Sequence, residues 1–194
     1  GIGPDIVLDL GNKIFGPWGL KFWMYIPSGK EAHMMIQDQT PIGSGDWVIG
    51  NWHFNQDTAN PGVGSIDDSA LGLVEFNFPH DQWFPVVMNV DISPGIALAT
   101  IQINVDGNDV LPAGTPFTDS AGTIPTSLGG LGILNLINNE VYFDHFCYLD
   151  VLVETPDPED QDNDGDGYTE NQGDCNDKDS TIYPGAPEIC DDGI

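Results

Sequence analysis

The sequence contains no arginine and only 4 lysines, against 31 Asp and Glu, for a net charge of −27. Phosphate recognition needs cations that displace counterions, so nucleic acid is excluded as a partner. An anionic membrane surface is excluded for the same reason. No apolar run reaches the roughly 18 residues of a spanning helix, so no membrane insertion is expected. No helix-length stretch shows a period of 3.6, and no signal peptide or initiator methionine opens the chain. The expectation is either a processed or excised piece, or export encoded upstream. What is present is 40% apolar residues, 10% aromatics, 24 Gly and 15 Pro. That composition allows a sizeable core and favours many turns over long helices.

The acid is uneven. Residues 154–194 hold 14 acidic side chains and one lysine; residues 1–153 hold 17 and three. Of the aromatic residues, only Tyr168 and Tyr183 lie in the tail. The chain therefore divides into a globular body, 1–153, a Pro-punctuated acidic linker, 154–161, and an Asp-rich repeat, 162–194.

The body alternates. Val86, Met88, Val90 and Ile92 take one face of a run, and Val87, Asn89 and Asp91 the other. Ala97–Asp106 places Ala99, Ile101, Ile103 and Val105 opposite Thr100, Gln102 and Asn104, and Leu73–Phe78 repeats the pattern. Such alternation marks half-buried strands. Asp106-Gly107 signals a tight hairpin, and Glu140–Val153 reads as a long closing strand. The expected fold is all-β: an antiparallel jelly-roll β-sandwich with a C-terminal calcium-binding, loop-rich repeat.

Several words of the body are familiar. Gly19–Lys30 reads as a strand ending in a Pro-x-Gly turn. Gly50–Gln56, Gln82–Pro85, Asp106-Gly107-Asn108 and Val141–Phe146 follow in order. This succession resembles the laminin-G-like, concanavalin-A-like jelly rolls of secreted surface proteins of Bacteroidota. The resemblance implies further strands ahead of Asp5–Leu10, so the sandwich is expected to be N-terminally incomplete.

The tail carries the sharpest motif. Asp162, Asp164 and Asp166 stand at positions 1, 3 and 5 of a loop, with Gly167 at 6 and the Tyr168 carbonyl at 7. Hard oxygens at every second residue, with glycine for the turn, are how a calcium loop is built. Position 12 is Gly173, not Glu, so Asp174 at 13 is the nearest acid. A second possible loop offers Asp177, Asp179, Thr181, the Tyr183 carbonyl and Glu188; Asp174 and Asn176 suit either ion. The tail has no His and no Met, so its donors favour calcium over copper. Asp57, Asp67 and Asp68 are loop acids that could hold a further ion in the body.

Asp162–Asp192 resembles the MopE-type metal-binding motif, similar in style to thrombospondin type 3 repeats. The matching words are Asp-x-Asp-Gly-Asp-Gly-Tyr, Gly-Asp-Cys-Asn-Asp-x-Asp at 173–179, and Ile182–Asp191. The resemblance implies a C-terminally incomplete repeat. Cys175 and Cys190 are the expected disulfide, contributing about 3 kcal/mol, with a downstream cysteine as the alternative partner. Cys147 is expected to be a free buried thiol, with pairing to another chain as the alternative.

For binding in the body, the mixed faces of Trp23 with Tyr25, and of Trp47 with His53, are the candidate ligand surfaces, since flat rings stack on sugars. Trp52 reads as core. His33 and His53 otherwise read as ordinary surface or edge residues. Catalysis is not expected: Glu31, Glu75 and Glu140 lack the paired spacing of a glycosidase, and no Ser-His-Asp grouping emerges. The reading is a secreted or cell-surface binding or adhesion module that takes calcium and recognises glycans or neighbouring surface proteins. The alternatives are a self-associating subunit of a filament or surface layer and, third, a glycoside hydrolase-like enzyme.

Overall fold

The computed structural model describes residues 6–41, 47–55, 61–134, 138–149, 162, 164–169 and 180–183. Eleven strands run β1 Ile6–Lys13, β2 Pro17–Tyr25, β3 Ala32–Gln37, β4 Trp47–Phe54, β5 Val63–Asp68, β6 Val74–Asn77, β7 Trp83–Asp91, β8 Thr100–Val105, β9 Asn108–Pro116, β10 Leu128–Leu134 and β11 Tyr142–Leu149. They form two antiparallel sheets. One has six strands in the order β1-β10-β3-β4-β5-β6, the other five in the order β11-β2-β7-β8-β9. The all-β sandwich expected from the alternation is what the chain adopts.

Alternation sets the faces. Val86, Met88 and Val90 of β7, and Ile101, Ile103 and Val105 of β8, turn into one buried core with Leu20, Phe22 and Met24 of β2. Across the sandwich, Met34, Ile36, Trp52, Phe54 and Ile66 meet them from the six-stranded sheet. Phe54 joins the layers. Its ring lies 5.3 Å from Phe76 and 5.2 Å from Phe78, and 6.1 Å from Phe84 of β7. Trp52 is core, as its alternation predicts.

Asp106-Gly107 makes the two-residue turn between β8 and β9, with φ of 50° and 80° and Val105 paired to Asn108. Two positive φ values are what a primed hairpin turn requires. One expectation shifts: Ile96–Leu98 is a short 3-10 turn, and the strand begins at Thr100. Pro94-Gly95 sets Gly95 at φ 96°, and the Leu98 amide donates to the Gly95 carbonyl, closing that turn.

The strand β10 is central and glycine-rich, flanked by β1 and β3. A Cβ on Gly129 would stand 2.5 Å from the Gln39 backbone nitrogen and 2.7 Å from the Asp38 carbonyl carbon. Backbone cannot swing aside as a side chain can. Gly129→Ala is therefore expected to destabilise the chain by about 1–3 kcal/mol. Gly132→Ala, whose Cβ first meets the Met35 Cγ at 3.1 Å, should cost less. Urea unfolding midpoints of the two variants check this, and equal midpoints would refute it.

Candidate metal centre and binding faces

The loop from Asp162 to Thr169 folds around its own carboxylates. Gly165 and Gly167 adopt φ of 83° and 98°, conformations open to glycine at little cost. Those turns aim backbone amides inward. The Gly165 and Gly167 amides donate to the two oxygens of Asp162 at 2.6 and 2.8 Å. The Asp166 amide donates to Asp164 at 3.2 Å, and the Tyr168 amide to Asp166 at 2.9 Å. The Gly167 amide, first, holds the Asp162 carboxyl below its ordinary pKa, so it stays ionised.

One oxygen atom of each of Asp162, Asp164 and Asp166 lies within 4.8 Å of the others. Two oxygens bound to one calcium ion at about 2.4 Å each can stand no more than roughly 5 Å apart. The spacing therefore fits a shared cation. Asp166 Oδ2 is buried and accepts no hydrogen bond from the described residues, and a buried anionic oxygen is costly unless something positive meets it. Three hard carboxylates suit calcium or magnesium chemistry better than copper, which prefers softer or imidazole donors. Among the described residues this is the single group of three or more His, Cys, Asp or Glu so arranged.

Tyr168, whose carbonyl is the expected donor at position 7, stacks its ring on Tyr183 at 5.8 Å and 8°. That contact joins the loop to the segment of Ile182 and Tyr183. Asp174, Asn176, Asp177, Asp179 and Glu188 lie outside the described residues, as do Cys175 and Cys190.

Cys147 corrects the expected free thiol, because it is disulfide-bonded. It sits on β11 opposite Lys21, on a sheet face where burial pushes the Lys21 amine below its ordinary pKa. The chain has 3 cysteines, and the other two, Cys175 and Cys190, lie outside the described residues. The free-thiol expectation failed because a strand's local pattern does not tell which distant segment the fold brings to it.

The four candidate ligand residues do not form one site. Trp23 and Tyr25 point out of the five-stranded sheet, since Phe22, Met24 and Ile26 point in. His53 lies on the outer side of the other sheet, because Trp52 and Phe54 take its core side. The side chain of Trp47 lies outside the described residues. Trp83 is one of five tryptophans that invite a sugar-binding reading from sequence, but the sequence singles out neither it nor Tyr142; their rings stand 5.7 and 6.0 Å from Tyr25. Both are cross-strand partners of Tyr25, and that register could not be read before the sheet order was known.

His33 and His53 are also corrected. They are buried side by side on central strands, not surface or edge residues. Their rings stack at 4.2 Å and 27°. His33 Nε2 is 3.2 Å from the Asn51 amide oxygen, and His53 Nε2 is 3.8 Å from an Asp67 carboxylate oxygen. Asp68 is committed elsewhere, accepting from the Ser120 amide and hydroxyl. Asp57 lies outside the described residues. Burial lowers the His53 pKa, while Asp67 and then Glu31 pull it back up. A lowered imidazole pKa means the unfolded chain takes up the proton first. Stability from this site is then complete above the unfolded value of about 6.5 and falls as pH drops toward the folded value. Urea midpoints at pH 7.5 and 5.5 should differ, and His53→Gln should reduce the difference. An unchanged difference in the variant would refute this origin.

A family model, Cu-binding MopE, described as a "putative metal-binding motif", matches residues 174–194. No curated protein matches the chain. Similar solved structures include the galectin LEC-6 of Caenorhabditis elegans, at 16% identity and TM-score 0.44, covering 74% of this chain and 91% of that one. A tetrameric galectin from the ball sponge Cinachyrella sp. is similar at 10% identity and TM-score 0.44, covering 75% and 99%. CG-16, a homodimeric agglutinin from chicken liver, is similar at 7% and TM-score 0.39, covering 73% and 100%.

Proposed function

We propose that this chain is a non-catalytic binding module of the cell exterior, secreted or surface-displayed, with a tail held by calcium. Its targets are glycans or neighbouring surface proteins. The observation that carries the metal half is the carboxylate group of Asp162, Asp164 and Asp166, with Asp166 Oδ2 buried and accepting no hydrogen bond from the described residues. Calcium offsets repulsion among these acids and orders a segment that has little apolar matter to bury. The family match at 174–194 supports metal binding in the tail. The disulfide at Cys147 supports an oxidising compartment. The exposed rings of Trp83 and Tyr142 support a binding role for the body.

Calorimetric titration of the full chain with calcium tests the metal half. Asp166→Asn is expected to weaken binding at the first loop by roughly 100-fold. The triple change of Asp162, Asp164 and Asp166 to Asn should remove that ion from the stoichiometry. Unchanged stoichiometry and affinity in the triple variant would overturn the assignment.

A further inference from the structure

The outer face of the five-stranded sheet carries a cleft of about 200 Å³ walled by Trp23, Trp83, Asp144 and His145. We propose that Trp23, Tyr25, Trp83 and Tyr142, with Asp144 and His145, form a site for one uncharged hexopyranose ring of a glycan. The proposal rests on the glycan reading above and deepens it by giving that reading a place.

The argument begins with register. Tyr25 pairs with Trp83 on one side and Tyr142 on the other, and Trp23 pairs with Asp144. One end of β2 is thereby flanked by rings on both neighbouring strands. The Tyr25 ring touches both, tilted 54° to Trp83 and edge-on at 71° to Tyr142. Rings that brace one another lose little freedom when a ligand lands on them. Trp83 is 45% exposed and Tyr142 is 52% exposed. Adjacent large aromatics in water mark binding surfaces more often than isolated ones do.

The polar members are placed by an irregularity. The register of β11 against β2 slips between Asp144 and Cys147, and His145 sits at φ 48°. A bulge of this kind re-aims side chains and recurs beside functional sites. The Asp144 carboxylate accepts from the His145 amide at 2.8 Å and lies 3.1 Å from His145 Nδ1. A carboxylate has about four lone-pair sites, so it retains capacity for two neighbouring sugar hydroxyls. With Nδ1 directed at Asp144, Nε2 is the imidazole nitrogen available to a ligand.

Apolar C–H faces of a pyranose match the rings, and its hydroxyls match the Asp144–His145 pair. The net charge of −27, the absence of arginine and Asp144 itself oppose an acidic sugar. The volume is below the roughly 300–1,000 Å³ of drug-sized pockets, which suits one ring of a longer chain. A second concavity of about 140 Å³, which Asn89, Gln102 and Gly114 help to line, has no aromatic wall.

The test is tryptophan fluorescence and calorimetry on the full chain with calcium present. The probes are neutral hexasaccharides of glucose, mannose and galactose, with polygalacturonate as the acidic comparison. At least one neutral probe should bind. Trp83→Ala and Asp144→Asn should each weaken it at least tenfold, with calcium uptake unchanged as the check on folding. Neutral-sugar binding that persists in Trp83→Ala and Trp23→Ala would overturn this site and leave glycan recognition standing. Preference for polygalacturonate would overturn the charge argument and the proposal with it. Failure of every probe on the native chain would overturn the site and the glycan reading together.

Discussion

Phe54→Ala is expected to cost about 3–5 kcal/mol of folding stability, the range for a buried aromatic cut back to a methyl. Phe54 has 0% exposure and touches Phe76, Phe78 and Phe84. Two of those rings follow it on the same side of the sandwich, and Phe84 belongs to the opposite sheet. Removing the ring therefore opens a void between layers that neither sheet can close alone. The gap is flanked by Trp52 and Ile66, also fully buried, and rigid strand backbones limit collapse. Urea unfolding followed by tryptophan fluorescence measures the loss. A change under 1 kcal/mol would show that the aromatic cluster is not the seam between the sheets. Phe54→Leu, closer in volume, should recover much of the loss.

The second large effect concerns the covalent link at Cys147. Cys147→Ser is expected to lower stability by about 4 kcal/mol on the loop-closure estimate for a ring of roughly 30–45 residues. A ring closed by either of the other cysteines, Cys175 or Cys190, would be that size. A separate signature follows from its position. The thiol lies on β11, an edge strand of the five-stranded sheet, so losing the bond releases the tail and leaves the sandwich core intact. Limited proteolysis should then cut between residues 150 and 194 while fragments of the body persist. Peptide mapping of the non-reduced native chain names the partner directly. Recovery of Cys147 as a free thiol from that digest would refute the link.

Much of the sandwich was legible because its strands alternate cleanly. The strands β7 and β8 bury alternate side chains against polar neighbours, and the Asp-Gly turn between β8 and β9 has few other uses. By contrast, β3 hides all six of its residues, so it carries no alternation to detect. In β10, glycine weakens any strand signal, yet glycine is what lets Gln39 and Leu8 backbone come close. The carboxylate loop was legible because Asp162, Asp164 and Asp166 are local in sequence, and the Asp162–Tyr168 hydrogen bonds are correspondingly local. The aromatic cluster of Tyr25, Trp83 and Tyr142 was not, because its members are far apart in the chain and meet only through sheet order. His33 and His53 were misplaced for the same reason: stacking across β3 and β4 buries them, and no local pattern announces it.

The bond at Cys147 also decides where a pull on this molecule would be felt. Tension applied to the carboxyl-terminal end would cross the sulfur bridge and enter the sandwich within β11, two residues before its last member, Leu149. The peptide between the bridged cysteines would carry no load. With Cys175 or Cys190 as the partner, the Asp162 loop would lie inside that sheltered arc, and its three clustered carboxylates would stay together while the rest of the chain is under strain.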